Sequence, residues 1–161
     1  MRAFVPCTTT FRGRVLVAGE IGDVFPLFSP EGEKLWVPGW APEYVHPDPA
    51  ETKWAEGQIF RTREEVGEAI WLVTRLDRAR HRVEYHRVEP GRYVAHIAVH
   101  CRPFPIGGTD VSTAYSFIGL SETGNGEIDA MTQQAYDAKM SRWTEWIARH
   151  LESHGRKPES D

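Results

Sequence analysis

Apolar residues recur along this chain with two different periods, and the change between them divides it. From Ile128 to Leu151 the period is three to four: Tyr136, Met140, Trp143, Ile147 and Leu151 fall on one helical face. Asp129, Gln133, Asp137, Ser141, Glu145 and Arg149 fall on the other, and no Gly or Pro interrupts the run. The spacing predicts one helix roughly 35 Å long. Its stripe is too apolar to face water, so it must lie on a sheet.

Before that helix the period is near two. Phe11, Val15 and Val17 alternate with Arg12 and Arg14, which predicts a half-buried strand that residues 4–10 extend. Ile21, Val24, Phe25 and Phe28 have helical spacing. Ser29-Pro30-Glu31 then reads as the start of a second short helix, with Ser as cap and Pro in the first turn, ending near Trp36. Pro38, Gly39 and Pro42 break the backbone, and 46–50 is a loop. Strands are predicted over 58–63, 69–76, 82–88, 93–102 and 111–120, separated by turns of hairpin length. Ser121 or Asn125 is the candidate cap of the long helix.

Short loops dictate antiparallel neighbours. One helix covers about six strands only if the sheet curls around it, and a curled sheet with two short helices at one end leaves a concave space. The facing residues follow from alternation. Tyr93, Ala95, Ile97, Val99 and Cys101 form an inward track, as do Val111, Thr113, Tyr115 and Phe117, while Phe60 and Thr62 share one side of an earlier strand. In the hairpin before them Ile70, Leu72, Thr74, Val83 and Tyr85 make the more apolar set. An extra residue in the Pro90-Gly91 turn sets Tyr85 beside Ile97; the other register would turn Trp71, Val73 and His86 inward.

Composition narrows the function classes. The 161 residues suit one domain, read as 1–152 with a disordered tail over 153–161. A net charge of −4 and a pI near 6.0 exclude the basic face that nucleic acid requires. No apolar run is long enough to span a membrane and residues 1–10 lack a signal-peptide core, so a cytoplasmic protein is expected. Cys7 and Cys101 are expected as free thiols. Six Trp are many for this length and fit a lined pocket.

Two stretches carry a family resemblance. Val24-Phe25-Pro26-Leu27-Phe28-Ser29-Pro30-Glu31-Gly32-Glu33-Lys34-Leu35-Trp36, after a first strand, resembles the START-like (SRPBCC) superfamily. Leu120-Ser121-Glu122 followed by 131–151 resembles its closing helix. The resemblance covers residues 11–151. It implies an α+β helix-grip fold: a curved antiparallel sheet of six to seven strands wrapped around a long C-terminal helix. The superfamily includes lipid-transfer domains, pollen allergens, polyketide cyclase/dehydrase-like proteins and a co-chaperone, with no shared catalytic motif. No Rieske-type Cys/His cluster precedes the domain. The fold by itself does not specify an activity.

The residues offer few sharp motifs. His96 and His100 lie about 13 Å apart on a strand, too far for one ion, and fall on the outward track; no metal or cofactor is expected. Glu84 and His86 could act as base and orienter only if their face were internal. Lys139 flanks the apolar stripe, where it could pair an anionic head group or simply run along the helix edge. Thr74, Thr113, Tyr85 and Tyr115 are the inward hydroxyls. Trp36, Trp40 and Tyr44 could form a lid or plug the hollow. The candidate ligand-binding set is therefore Trp36, Trp40, Phe60, Leu72, Thr74, Tyr85, Ile97, Thr113, Tyr115, Phe117, Tyr136, Lys139, Met140 and Trp143. The expected partner is a hydrophobic or aromatic small molecule, lipid- or polyketide-like. A cyclase- or dehydratase-like enzyme using the same cavity is the alternative, and a protein-interaction module with a filled core the third. Oligomeric state is not readable from the chain.

Overall fold

The computed structural model describes residues 3–51 and 53–154. Strand β1 (Thr8–Val17) leads into a short helix α1 (Ile21–Val24), a 3-10 turn (Phe25–Phe28) and a second short helix α2 (Pro30–Glu33). Six strands follow: β2 (Glu43–His46), β3 (Ile59–Arg63), β4 (Glu68–Asp77), β5 (Arg82–Glu89), β6 (Tyr93–Pro103) and β7 (Thr109–Gly119). Helices α3 (Glu122–Asp129) and α4 (Gln133–His154) complete the chain. The seven strands form one antiparallel sheet in the order β1-β7-β6-β5-β4-β3-β2. This is the α+β arrangement expected, a curved sheet closed by a long C-terminal helix.

Local chemistry sets the elements. The Ser29 hydroxyl accepts the Gly32 N–H at 2.9 Å, and Pro30 fills the first helical position, where no N–H is needed. Strand β2 was not expected; it is four residues between Pro42 and Pro47, too short to show alternation. The C-terminal rod differs too, because the chain breaks after Asp129 and α4 begins only at Gln133. Ser121 caps α3 by accepting the Gly124 N–H at 3.0 Å, and Thr132 accepts the Ala135 N–H at 3.1 Å to open α4. Ile128 thus belongs to the shorter helix. At the other end Ser153 and His154 extend α4, while 155–161, the rest of the expected tail, lie outside the described residues.

The faces of β1, β3, β6 and β7 are as alternation predicts. Tyr85 pairs with Ile97 across a three-residue turn, in the favoured register. Strand β4 is the exception. Its pairing with β5 shifts between Val73 and Arg75, a bulge at Thr74. One extra residue reverses every side chain beyond it. Ala69, Trp71 and Val73 are therefore buried, whereas Leu72 is half-buried on the outer face and Thr74 is exposed, with its hydroxyl donating to the Glu84 carbonyl at 3.2 Å. Helix α4 packs closely on β1 because residue 13 is glycine. A Cβ there would meet Tyr136 Cε1 and Met140 Cγ, each at 2.7 Å.

Candidate functional site

Sheet and helix fill the space between them on one side only. Near β1 and β7, Phe11 stacks on Tyr136 at 5.8 Å, and the Thr113 and Tyr136 hydroxyls are 2.5 Å apart. Thr113 also reaches Met140 Sδ at 3.2 Å, and Ile97 and Phe117 are buried in the same layer. Toward β3 and β4 a cavity of about 690 Å³ remains. Trp71 and Tyr115 line it from the sheet, Trp143 and Trp146 from α4, and Trp40 from the segment after α2. Edge-to-face contacts, Trp40 on Trp71 at 5.3 Å and Trp36 on Trp143 at 5.4 Å, hold the rings in place.

Of the expected ligand-binding set, the structure brings Trp40, Tyr115, Lys139 and Trp143 to this cavity. Trp36 is core: its ring packs on Phe28 and Trp143, and its indole N–H donates to the Leu27 carbonyl at 2.7 Å. Phe60 lies behind Trp71, stacked at 5.5 Å. The Tyr85 hydroxyl is spent on the Phe28 carbonyl at 2.7 Å. Ile97, Thr113, Phe117, Tyr136 and Met140 face inward but fill the packed side. Leu72 and Thr74 are on the other face of the sheet altogether, for the reason given by the bulge.

The candidate set did not include Trp71, Arg87, Glu33, Arg142 and Trp146, although the alternative register turned Trp71 inward. The signal for Arg87 was present: it continues the Val83–Tyr85 track that alternation had turned inward. Trp71 was hidden by the bulge. Glu33 sits in a helix one turn long, where no periodicity can declare a face.

The charges in the cavity are its unusual feature. Some are satisfied: the Trp71 indole donates to Thr62 Oγ1 at 2.9 Å, Thr62 donates to Glu64 at 2.7 Å, and Arg63 lies 3.7 Å from Glu43. Others are not. Lys139 Nζ lies 4.1 Å from the Tyr115 ring centroid and 5.3 Å from that of Trp143, a cation–π position. The Arg87 guanidinium lies 5.4 Å from the Trp71 ring centroid, and its buried Nε has no hydrogen-bond partner. Among the described residues no carboxylate lies within ion-pairing distance of Lys139, Arg87 or Arg142. Burial, then the nearby Arg87 charge, brings the Lys139 amine down to about 7, with Glu33 opposing. Burial pushes the Glu33 carboxyl up to about 8, against the pull of Lys139. Burial also raises the Tyr115 hydroxyl, which stays protonated.

The histidines lie elsewhere. His96 Nε2 is 2.8 Å from Glu84 Oε1 and His86 Nδ1 is 3.3 Å from Thr74 Oγ1, all on the outer face of the sheet. No group of three or more potential metal ligands occurs among the described residues, and no described helix is long and apolar enough to cross a membrane. Both cysteines are free thiols.

Comparison with known proteins bears on the fold. No family model matches the chain, and no curated protein matches it in sequence. Solved structures do match in shape. A norcoclaurine synthase point mutant from Thalictrum flavum, in complex with a transition-state analogue, superposes with a TM-score of 0.70 at 14% identity, covering 96% of this chain and all (100%) of that one. The same plant's enzyme with dopamine and hydroxybenzaldehyde gives 0.67 at 14% identity, covering 94% and 91%. An uncharacterised protein of Rhizobium leguminosarum gives 0.63 at 14%, covering 93% and 98%. At such identities the likeness is one of architecture. The resemblance carried by residues 24–36 and by the closing helix therefore holds as a statement about the backbone: the chain has the helix-grip fold of the START-like proteins.

Proposed function

We propose that the chain binds an aromatic small molecule in the cavity between the sheet and α4. The observation that carries this reading is the cavity itself: about 690 Å³ walled by Trp40, Trp71, Tyr115, Trp143 and Trp146. A space of that size suits a small organic ligand. Burying some 250 Å² of apolar ligand surface gives a gross gain of about 6 kcal/mol, which after ordering costs supports micromolar binding. A protein of this fold that has been solved with dopamine and hydroxybenzaldehyde lends the reading support. The interaction-module reading assumed a filled core, and the cavity weighs against that premise. Native mass spectrometry of gently purified protein, together with a thermal-shift screen of aromatic and lipid-like compounds, tests the proposal. A retained adduct or a dose-dependent rise in Tm is expected. A bare mass with no shift across the library would refute it.

A second reading, acid–base catalysis on the bound molecule, is favoured by one observation. Glu33 and Lys139 line the same cavity and titrate near neutral pH, at about 8 and about 7. It expects a bell-shaped pH–rate profile that loses one limb in Glu33→Gln and the other in Lys139→Met. A candidate substrate turned over unchanged by both variants would remove it.

A further inference from the structure

The charged groups facing the cavity do not balance. From α2 comes Glu33, from β2 and β3 the paired Glu43 and Arg63, from the turn after β3 Thr62-bound Glu64, from β5 Arg87, from β7 the Tyr115 hydroxyl, and from α4 Lys139 and Arg142. Glu64 already accepts a hydrogen bond, and Glu33 is held toward its neutral acid. Three cations therefore face a largely aromatic space without an ion-paired carboxylate among the described residues; Lys139 and Arg87 are half-buried and Arg142 is exposed. Lys139 stands over the Tyr115 ring and Arg87 over the Trp71 ring, both lining one cavity. Two like charges sharing a partly buried cavity repel each other, and neither has an ion-paired carboxylate among the described residues.

We infer that the natural occupant is an aromatic anion, an arylcarboxylate whose carboxylate is held by Arg87 and Lys139 while its ring packs among Trp71, Tyr115 and Trp143. This deepens the ligand reading and rests on it. The alternatives fit less well. A neutral ring would leave the buried Arg87 Nε without an acceptor. A cationic ligand would add a further positive charge beside two that already lack an ion pair. A carboxylate accepts from the planar guanidinium and from the ammonium together, which are charge-assisted bonds. The protonated Glu33 acid can donate to it as well.

The arrangement also predicts proton uptake. Lys139 in the empty cavity titrates at about 7, and a carboxylate beside it favours the charged amine. Arg87 and Arg142 oppose that rise, and Glu33 and Glu64 assist it when ionised. Binding near pH 8 should then take up most of one proton at Lys139, and binding near pH 5.5 about none. Lys139→Arg keeps the charge without titrating, so it should bind the anion and lose the Lys139 share of this uptake, keeping only what Glu33, titrating at about 8, takes up near pH 8.

The experiment is isothermal titration of the full chain with naphthoate and with naphthamide, a pair sharing one ring system and differing in charge. It is run in buffers of different ionisation enthalpy. At pH near 6, naphthoate is expected to bind at least about tenfold tighter than naphthamide, as loss of a charge-assisted contact implies. Lys139→Met and Arg87→Met should each reduce that preference severalfold while leaving naphthamide nearly unchanged. The two ligands compared on the unaltered chain decide the matter even if a variant misfolds. Equal affinity for both would overturn the anion inference and leave the aromatic-ligand reading standing. A preference that survives both substitutions, or an uptake equal in wild type and Lys139→Arg, would overturn the assigned residues. Binding of neither compound would overturn the inference, and the thermal-shift library would then separately decide the broader reading.

Discussion

Replacing Glu33 with Gln should flatten the acid-side pH dependence of stability. The carboxyl titrates at about 8 in the native chain against 4.5 for the free group, because burial disfavours the anion more than Lys139 favours it. A raised native value means that, between those two pH values, the folded chain holds a proton the unfolded chain has released. Its contribution is fully present below 4.5 and is lost as pH rises toward 8. One unit is worth about 1.36 kcal/mol, so the climb from 4.5 to 7 removes about 3 kcal/mol for a sealed group. Glu33 keeps part of its surface exposed, and solvent screening cuts this to about 1.5 kcal/mol.

The assay is urea denaturation at several pH values between 4.5 and 7, for wild type and Glu33→Gln. Histidines whose burial lowers their titration, His86, His100 and His150, bias stability the opposite way, but equally in both proteins. The difference between the proteins isolates Glu33. With an m value of about 2 kcal/mol/M, the wild-type midpoint should fall by roughly 0.7 M relative to the variant over that range. Stopping at pH 7 avoids the rising contribution of Lys139. Parallel curves, with midpoints separated by a constant, would refute the claim that Glu33 is protonated in the native cavity.

Three further outcomes are expected. Lys139→Met should raise Tm near pH 6, by about 1–2 kcal/mol of stability, because the native state then no longer carries a buried ammonium; the gain should shrink as pH rises from about 7 toward 10.5, where the native and then the unfolded amine lose their protons. Tyr136→Phe removes the 2.5 Å contact with Thr113 and should cost about 1 kcal/mol by urea melt, with little effect on cavity ligands. Gly124→Ala places a Cβ about 1.5 Å from the Arg92 carbonyl oxygen and should cost about 3 kcal/mol or more, or prevent accumulation of folded protein.

How much of this was legible in the chain depends on what each feature is made of. Strands β1, β3, β6 and β7 declared their faces because each alternates cleanly over five or more residues, whereas the Tyr85–Ile97 register was one of two the Pro90-Gly91 turn allowed, and the pairing selects it. The break at 130–132 left only a weak trace. Met131 is partly buried on the core, so the apolar stripe runs on past the break, and the cap at Thr132 is a single hydroxyl. The bulge at Thr74 left none. It depends on pairing between two strands, and one misplaced residue cost Trp71 while adding Leu72 and Thr74 in error. Alternation also tells which residues face inward, but not which of them the helix covers. Thr113 and Tyr115 share one track, yet one is consumed by Tyr136 and the other opens on the cavity.

That last distinction carries the functional argument. On the packed side, the inward polar groups are paired with each other: Thr113 with Tyr136 and Met140, Tyr85 with a carbonyl. On the open side, Arg87 and Lys139 point inward with no ion-pair partner among the described residues, and Glu33 holds a proton it would lose in water. Buried polar atoms without a partner also occur away from the cavity, at Trp54, Gln58, Glu89 and His150, but Arg87 is the one cation among them and it faces the open space. Unpaired buried charge destabilises a chain, and Met or Leu in place of Arg87 or Lys139 would avoid it. A structure-only role for Arg87 and Lys139 predicts the reverse pattern, with partners drawn in to neutralise them. The arylcarboxylate inferred above would bring the missing acceptor with it.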